Sequence, residues 1–514
     1  MPSVNDRFSA ACFSIGLAGL HLFALGLWWY RAVAIAGIVL MVAGLLHPGL
    51  GRRRFGRIAS VQAVALWLLY LAFQLATVAI TDPALFPEHW KAALRWSYLA
   101  GFLLVAYYLQ GQCRRIVSIL AWAVAGFFLG RLAYLDELLQ YGYDFWRFRH
   151  QLGFPTAIPL GQYAATVLLI LLILGPRFLA RRGWGARAAW LLGLALATEC
   201  VLLSQSRGVW GALLGVLVLV SLSARRTAPS LWRQYRKAVV LVAVLGLVVG
   251  MSQYSVLAHR LTEEGQTYRQ LLQGNFAAIP MQRADGSEYS IGVRVAMWRF
   301  GIAHWLERPW FGWGPAGTRH LIACCAPEVF RRFNDLHSAP VELLLRFGIV
   351  GLVLVAAVGV TAVTPALRAL RTRRLPADVF LLVMAALSLH GLLALVNFRM
   401  LNYDWRFFWF LYGGIAASFA FVRENDREIE TSHRPVALRQ GSGEKTQARR
   451  EGEAAPAEVS FRALVPGRTL GPAPLRFLRG LRPPSKCQAG AGAPPAEGDG
   501  SGRLPGVSAP FFPL

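Results

Sequence analysis

Charge is scarce in this chain, and negative charge is scarcest. Only 16% of the 514 residues are Asp, Glu, Lys or Arg, against roughly 25% in soluble domains. That shortage excludes the string of soluble domains that length alone would suggest. No Asp-x-Asp pair occurs, and the six cysteines, at 12, 113, 200, 324, 325 and 487, show no metal-type spacing. No metal and no cofactor is therefore expected. Adjacent residues fit disulfide geometry poorly, so Cys324 and Cys325 read as two thiols without a structural role in preference to the alternative, a strained vicinal disulfide. The first apolar run, 8–29, lacks a small-residue cleavage site and reads as a span rather than a cleaved signal peptide.

What the chain has instead is long apolar runs. Hydrophobic residues make up 55% of it. A helix needs about 20 apolar residues to cross a bilayer core, and backbone in lipid must satisfy its own hydrogen bonds. The runs predict an all-α polytopic membrane protein of about twelve transmembrane helices, at 8–29, 32–47, 60–80, 97–112, 116–135, 156–175, 188–205, 208–223, 238–253, 341–365, 378–396 and 405–422.

A net charge of +26 would suit nucleic acid, but the positives sit in short loops between apolar runs, so no nucleic-acid partner is expected. The Arg52-Arg53-Arg54 run, Arg114-Arg115 and the stretches 177–187, 225–237 and 368–374 all fall on one side if every span counts. The intervening loops 81–96, 136–154 and 397–405 carry fewer. This is the positive-inside pattern, and it predicts cytoplasmic termini. Residues 254–340 then form one large external loop, a small helical cap on a membrane domain of 1–422. Residues 423–514, rich in Pro, Gly, Ala, Arg and Glu without apolar periodicity, read as a disordered cytoplasmic tail.

Three external motifs carry candidate chemistry. Ser206-Arg207-Gly208 lies in the turn between the seventh and eighth spans. Arg207 reads either as an arginine snorkelling at a helix end or as an anion contact, because a guanidinium fork suits phosphate oxygens. Arg294 and Trp298 are four apart, on one helix face, and lead into Pro309-Trp310-Phe311-Gly312-Trp313-Gly314, whose glycines permit close backbone approach. His337-Ser338-Ala339-Pro340 precedes an apolar helix through Gly348 and Gly351. Ser338 suits an N-cap and Pro340 a first turn. His337 reads either as an interfacial histidine or as a general base titrating near working pH. Arg319, Arg331 and Arg332, with Arg147, Arg149 and His150 of another external loop, read as solvated loop charge. Glu199 within the seventh span reads as one half of a structural ion pair with a nearby external arginine.

In order and placement these motifs resemble the O-antigen ligase and polymerase superfamily. Its pattern has a Ser-Arg-Gly-type turn, an Arg-x-x-x-Trp helix ending in a Pro-x-x-Gly-x-Gly turn, and a His-Asn-x-x-Leu segment leading into Gly-x-x-Gly. The likeness covers about 190–365. It departs at Ser338 for Asn, at Val341 for Leu and at Arg346, where an acidic residue is common. The resemblance implies a GT-C-like fold in the bacterial inner membrane, with the active site facing the periplasm. It implies a glycan donor on undecaprenyl diphosphate and a lipid A–core or glycan acceptor, among membrane lipids. Arg207 and Arg294 would clamp the diphosphate in place of a metal, and His337 would deprotonate or orient the acceptor hydroxyl. Arg319, Trp298 and Ser338 would support them. An O-antigen ligase, metal-independent and inverting, is preferred over an O-antigen or exopolysaccharide polymerase or a protein O-oligosaccharyltransferase. A polysaccharide-precursor transporter fits less well. Few ionisable residues lie within the spans, Arg131, Glu199 and His390 among them, and no paired, broken halves appear.

Overall fold

A computed structural model describes residues 4–45, 56, 58–142, 145, 148–179 and 183–227. It also describes scattered positions between 236 and 262, residues 265–275 and 279, and residues 290–422. All regular structure among the described residues is helical. The principal helices are α1 (Val4–Gly26), α2 (Arg31–Leu45), α3 (Ala59–Thr81), α4 (Phe86–Trp96), α5 (Phe102–Leu109), α6 (Cys113–Leu132) and α7 (Ala157–Leu179). They continue with α8 (Trp184–Leu203), α9 (Arg207–Thr227), α10 (Ser290–Glu307), α11 (Gly317–Cys325), α12 (Ala339–Arg371), α13 (Ala377–Val396) and α14 (Tyr403–Ala417).

Among the described residues, nine helical stretches are long and apolar enough to cross a bilayer. They overlap nine of the twelve expected spans, although the stretch over 97–112 runs from Pro83 to Leu109. α2 and α14 hold 15 residues each, which is shorter than a full crossing. The expected span 238–253 and the tail 423–514 lie largely or wholly outside the described residues. The chain is thus an all-α polytopic membrane protein. α7 sits at its centre, 89% of its apolar window buried, packed by α6, α8, α9 and α13. α1 and α2 form a tight hairpin on Gly19 and Gly37, where an added Cβ would press on the opposing backbone, as small-residue contacts in membranes do.

Two elements differ from the sequence reading. The stretch 81–96, expected as a loop, contains α4. Its His89, Ala93 and Trp96, at helical spacing, are buried, while Lys91 and Arg95 belong to the other face. α12 is also not continuous. Gly348 has φ +63° and ψ −166°, so the helix breaks there and restarts. Residues 290–338 fold as short helices on the N-terminal end of α12. They share a small apolar core of Val293, Met297, Leu321, Ile322, Phe330, Leu336 and Leu345.

Candidate functional site

The break in α12 organises the site. A helix interrupted at Gly348 leaves backbone groups without their usual partners, and the Pro309–Gly314 turn supplies new ones. The N–H groups of Trp313 and Gly314 donate to the carbonyls of Leu345 and Arg346 at 2.9 and 2.8 Å, and the Ile349 N–H donates to the Pro309 carbonyl at 2.9 Å. The approach is so close that a Cβ at Gly348 would overlap the Trp310 carbonyl, and one at Gly312 would press on the backbone of Arg346. Both glycines have positive φ, a region that costs other residues energy. From α3, the Tyr70 hydroxyl donates to the Phe347 carbonyl (2.6 Å) and the Gln74 amide to the Phe311 carbonyl (2.7 Å). The glycine-rich motif is therefore a splice that locks a turn into a broken helix.

Above the splice lies a buried charge network. Glu342 Oε2 accepts from the Thr318 hydroxyl (2.8 Å) and from Arg346 Nε (2.6 Å), and Oε1 accepts from the Leu336 N–H (2.7 Å). Arg346 also donates to the Pro315 carbonyl at 2.6 Å. Glu342 is wholly buried and Arg346 nearly so. A buried charge persists only when paired and hydrogen-bonded, and both conditions are met. Arg346, a departure from the family pattern, thus has a structural role. With Glu342 it ties α11, the turn and the segment before α12 together.

That segment presents His337. Its backbone is left-handed, φ +52°, uncommon for a residue with a side chain. One carboxylate oxygen of Asp335 holds it twice, accepting from the His337 N–H at 3.0 Å and from ring Nδ1 at 2.6 Å. A carboxylate can only accept, so Nδ1 carries a hydrogen. Phe333 packs edge-on against the ring at 5.2 Å. Asp335 and His337 are each about a quarter exposed. Ser338 occupies the N-cap position of α12, followed by Pro340 in the first turn, but its side chain makes no capping bond. It is buried, and its carbonyl accepts from the Glu342 N–H. The expected capping position is thus occupied without the capping contact.

α10 packs on this segment through Gly301. A Cβ at Gly301 would run into Leu336 and Val341, the residues flanking the histidine loop. Arg294 lies seven residues before Gly301, on the same face, with Trp298 between them. Trp298 is half-buried, and its indole nitrogen has no hydrogen-bond partner among the described residues. Arg319 is exposed on α11 beside the anchoring Thr318.

Arg207 belongs to a neighbouring layer. It is the first residue of α9 and half-exposed. The turn before it docks on the 148–150 loop: Arg149 Nε donates to the Ser204 carbonyl at 3.0 Å, and the Gln205 amide to the Phe148 carbonyl at 3.1 Å. His150, expected as solvated charge, is buried, with Nδ1 3.4 Å from Glu137. Arg147 lies outside the described residues. Arg331 and Arg332 are exposed at the surface, Arg331 donating to the Ala326 carbonyl at 2.8 Å. α9 packs on α13 and α7, whereas Arg294 and His337 sit on the α10–α12 layer. α13 joins the two. Its Leu393 and Val396 border Gly208, and the next residues carry Phe398 beneath the Arg346 guanidinium at 5.8 Å. The Arg207 turn and the His337 segment therefore lie at one end of the bundle, on either side of α13, and Arg294 stands two turns along α10 from its contact with the His337 segment at Gly301. At that end Arg399, from a loop expected to be poor in cations, is buried against Asp404 at 2.8 Å.

Two further findings concern charge and sulfur. Among the described residues, no three His, Cys, Asp or Glu side chains gather closely enough to hold a metal. Cys324 and Cys325, expected as separate thiols, are joined in a disulfide. They close the last turn of α11, where Ala326 leaves helical geometry (φ −75°, ψ 148°).

Asp335, Glu342, Thr318, Tyr70 and Gln74 do not stand out in the sequence. Of these only Asp335 leaves a usable signal there, a carboxylate two residues from the candidate histidine.

No curated protein matches the chain significantly. Residues 192–356 match the family model described as O-Antigen ligase, a stretch that contains Arg207, Arg294, the glycine splice, Asp335, His337 and the break at Gly348. That domain match, over less than half of the chain, supports a place in the O-antigen ligase superfamily of ligase- and polymerase-type membrane glycosyltransferases.

Proposed function

We infer that this protein transfers a glycan from undecaprenyl diphosphate to an acceptor hydroxyl at the external, periplasmic face of the inner membrane, and that it is an O-antigen ligase whose acceptor is lipid A–core. The observation that carries this reading is the Asp335–His337 pair, set on the segment that the Arg294 face of α10 packs against.

The step balances without a metal. His337 Nε2 takes the proton of the acceptor hydroxyl. The acceptor oxygen forms a bond to the anomeric carbon, and the bond from that carbon to the diphosphate oxygen breaks. The electron pair leaves with the undecaprenyl diphosphate. Attack opposite the leaving group inverts the anomeric centre. Arg207 and Arg294 hold the diphosphate and offset its growing charge, as fixed donors do when aimed at developing negative charge. Asp335 fixes the tautomer of His337 and offsets the imidazolium that forms, the role a carboxylate plays behind a catalytic histidine. Trp298 and Arg319 line the approach, and Ser338 starts the helix that fixes the histidine loop.

Each arginine contact is worth about 3–4 kcal/mol of barrier, or about 10²–10³-fold in rate. Arg207→Ala, Arg294→Ala and His337→Ala, each with expression checked, are expected to abolish glycan transfer in cells. Retained transfer in all three overturns the assignment. Gels of lipopolysaccharide from a deletion strain separate the acceptors. Loss of a ligase leaves core without polymer, whereas loss of a polymerase leaves one repeat attached.

A further inference from the structure

The turn that presents Arg207 is held from outside its own two helices. α8 ends at Leu203 and α9 begins at Arg207, so the last carbonyls of α8 have no helical partner. The 148–150 loop supplies donors to two of them. The His150 N–H donates to the Leu203 carbonyl at 3.2 Å, and Arg149 Nε donates to the Ser204 carbonyl at 3.0 Å. A guanidinium at the C-terminal end of a helix also suits its dipole. In the other direction, the Gln205 amide donates to the Phe148 carbonyl at 3.1 Å, and Gln205 itself is left-handed, φ +46°. Behind the turn, a Cβ at Gly161 of α7 would overlap Ser204 Oγ, so the turn has no room to shift inward.

The loop depends in turn on one carboxylate. Glu137 lies in the short helix Leu135–Leu139 that follows α6. Its Oε2 accepts from the Leu152 N–H at 3.1 Å and its Oε1 from the Gln151 N–H at 3.3 Å, and His150 Nδ1 stands 3.4 Å from Oε1. Leu152 and Gly153 have φ of +44° and +81°, so no strand or helix takes up these N–H groups, and the carboxylate does so instead. The His150 ring is buried, and its Nε2 donates to the Phe145 carbonyl. Farther on, Phe154 is buried between the Arg131 guanidinium at 4.1 Å and the Tyr163 ring at 5.6 Å. The loop is thus anchored at Glu137 and at Phe154. Its 148–150 end overhangs the Arg207 turn, and Glu137 is the anchor beside that overhang.

We propose that Glu137 is a positioning residue for Arg207: through the 148–152 loop it fixes the turn that aims the guanidinium at the donor diphosphate. The proposal rests on the reading of Arg207 as a diphosphate clamp. Glu137 acts through the loop and does not touch the donor. The consequence is coupling. Removing Glu137 matters to donor binding only while Arg207 is there to be misplaced.

The test measures equilibrium binding of undecaprenyl diphosphate to the full-length chain in detergent. Wild type, Glu137→Ala, Arg207→Ala and the double variant are compared at equal folded concentration, checked by thermal melting. Arg207→Ala is expected to weaken binding about tenfold or more, the loss of one charge-assisted hydrogen bond. Glu137→Ala is expected to weaken it about three- to tenfold, within the range for coupled residues. The double variant is expected to bind no more weakly than Arg207→Ala alone, and Glu137→Asp, which keeps the carboxylate, to recover part of the loss. Equal weakening by Glu137→Ala with and without Arg207 overturns the proposal, because Glu137 then only supports the fold. Wild-type binding by Glu137→Ala beside weakened binding by Arg207→Ala also overturns it, and leaves the diphosphate reading intact. Wild-type binding by Arg207→Ala removes the diphosphate reading itself, and the proposal falls with it. Where Glu137→Ala is unstable, Glu137→Gln, which keeps one acceptor oxygen, is judged by the same criteria.

Discussion

Asp335→Asn separates a catalytic histidine from a merely well-placed one. The substitution keeps an oxygen able to accept from the His337 N–H and from Nδ1, but it removes the negative charge and lets the amide flip. The native contacts are short, 2.6 Å to the ring and 3.0 Å to the backbone. Hydrogen bonds to charged groups are worth about 1.5–3 kcal/mol. Both side chains are 26% exposed, so water screens the pair and the lower part of that range applies. At 1.36 kcal/mol per tenfold, kcat is expected to fall about 10- to 40-fold. KM for the lipid-linked donor stays unchanged, because Asp335 does not contact it. Asp335→Ala falls further, since the left-handed turn at His337 loses both anchors, and Asp335→Glu recovers part of the loss. The assay is steady-state transfer by purified protein from lipid diphosphate–linked glycan to lipid A–core. If Asp335→Asn retains kcat within threefold while His337→Ala is inactive, the carboxylate has no part in orienting the base.

Other expectations follow from the splice, the ion pair and the cysteines. Gly348→Ala forces a side chain onto the Trp310 carbonyl at φ +63°. It is expected to cost at least about 1–3 kcal/mol, seen as a lower melting temperature with loss of transfer, and an unchanged melting temperature contradicts the geometry. Glu342→Gln strands the Arg346 guanidinium and is expected to destabilise by about 3–5 kcal/mol. Glu342→Leu with Arg346→Met recovers most of it, and a double-mutant cycle without coupling refutes the pairing. The peptide holding Cys324 and Cys325 is expected to resist alkylation until reduced, whereas Cys12 and Cys113, free and half-buried, react in denaturant without reductant. Full labelling of Cys324 without reductant contradicts the disulfide.

The helices are legible in the sequence because lipid imposes one simple rule. Runs such as 60–80 and 378–396 have to be helical, and they are α3 and α13. α4 escapes that rule because its polar residues, Glu88, His89, Lys91 and Arg95, resemble a loop until their period is counted. The break at Gly348 is equally hidden. A lone glycine in an apolar run gives no sign that a turn forty residues earlier will supply its backbone partners. Of the site, His337, Arg207 and Arg294 stand out in the sequence as polar groups near helix ends. Asp335 does not stand out, because a carboxylate in a loop is ordinary until a left-handed backbone turns an imidazole onto it. Arg346 looks like a departure from pattern, and only its contact with Glu342 explains it.

The most direct measurement compares wild type and His337→Ala, reconstituted in bilayers, for donor binding and for transfer to lipid A–core in the same preparation. The account expects His337→Ala to bind the lipid diphosphate donor as the wild type does, while transfer falls by at least about 10²-fold. Transfer at the wild-type rate by the folded variant would contradict it.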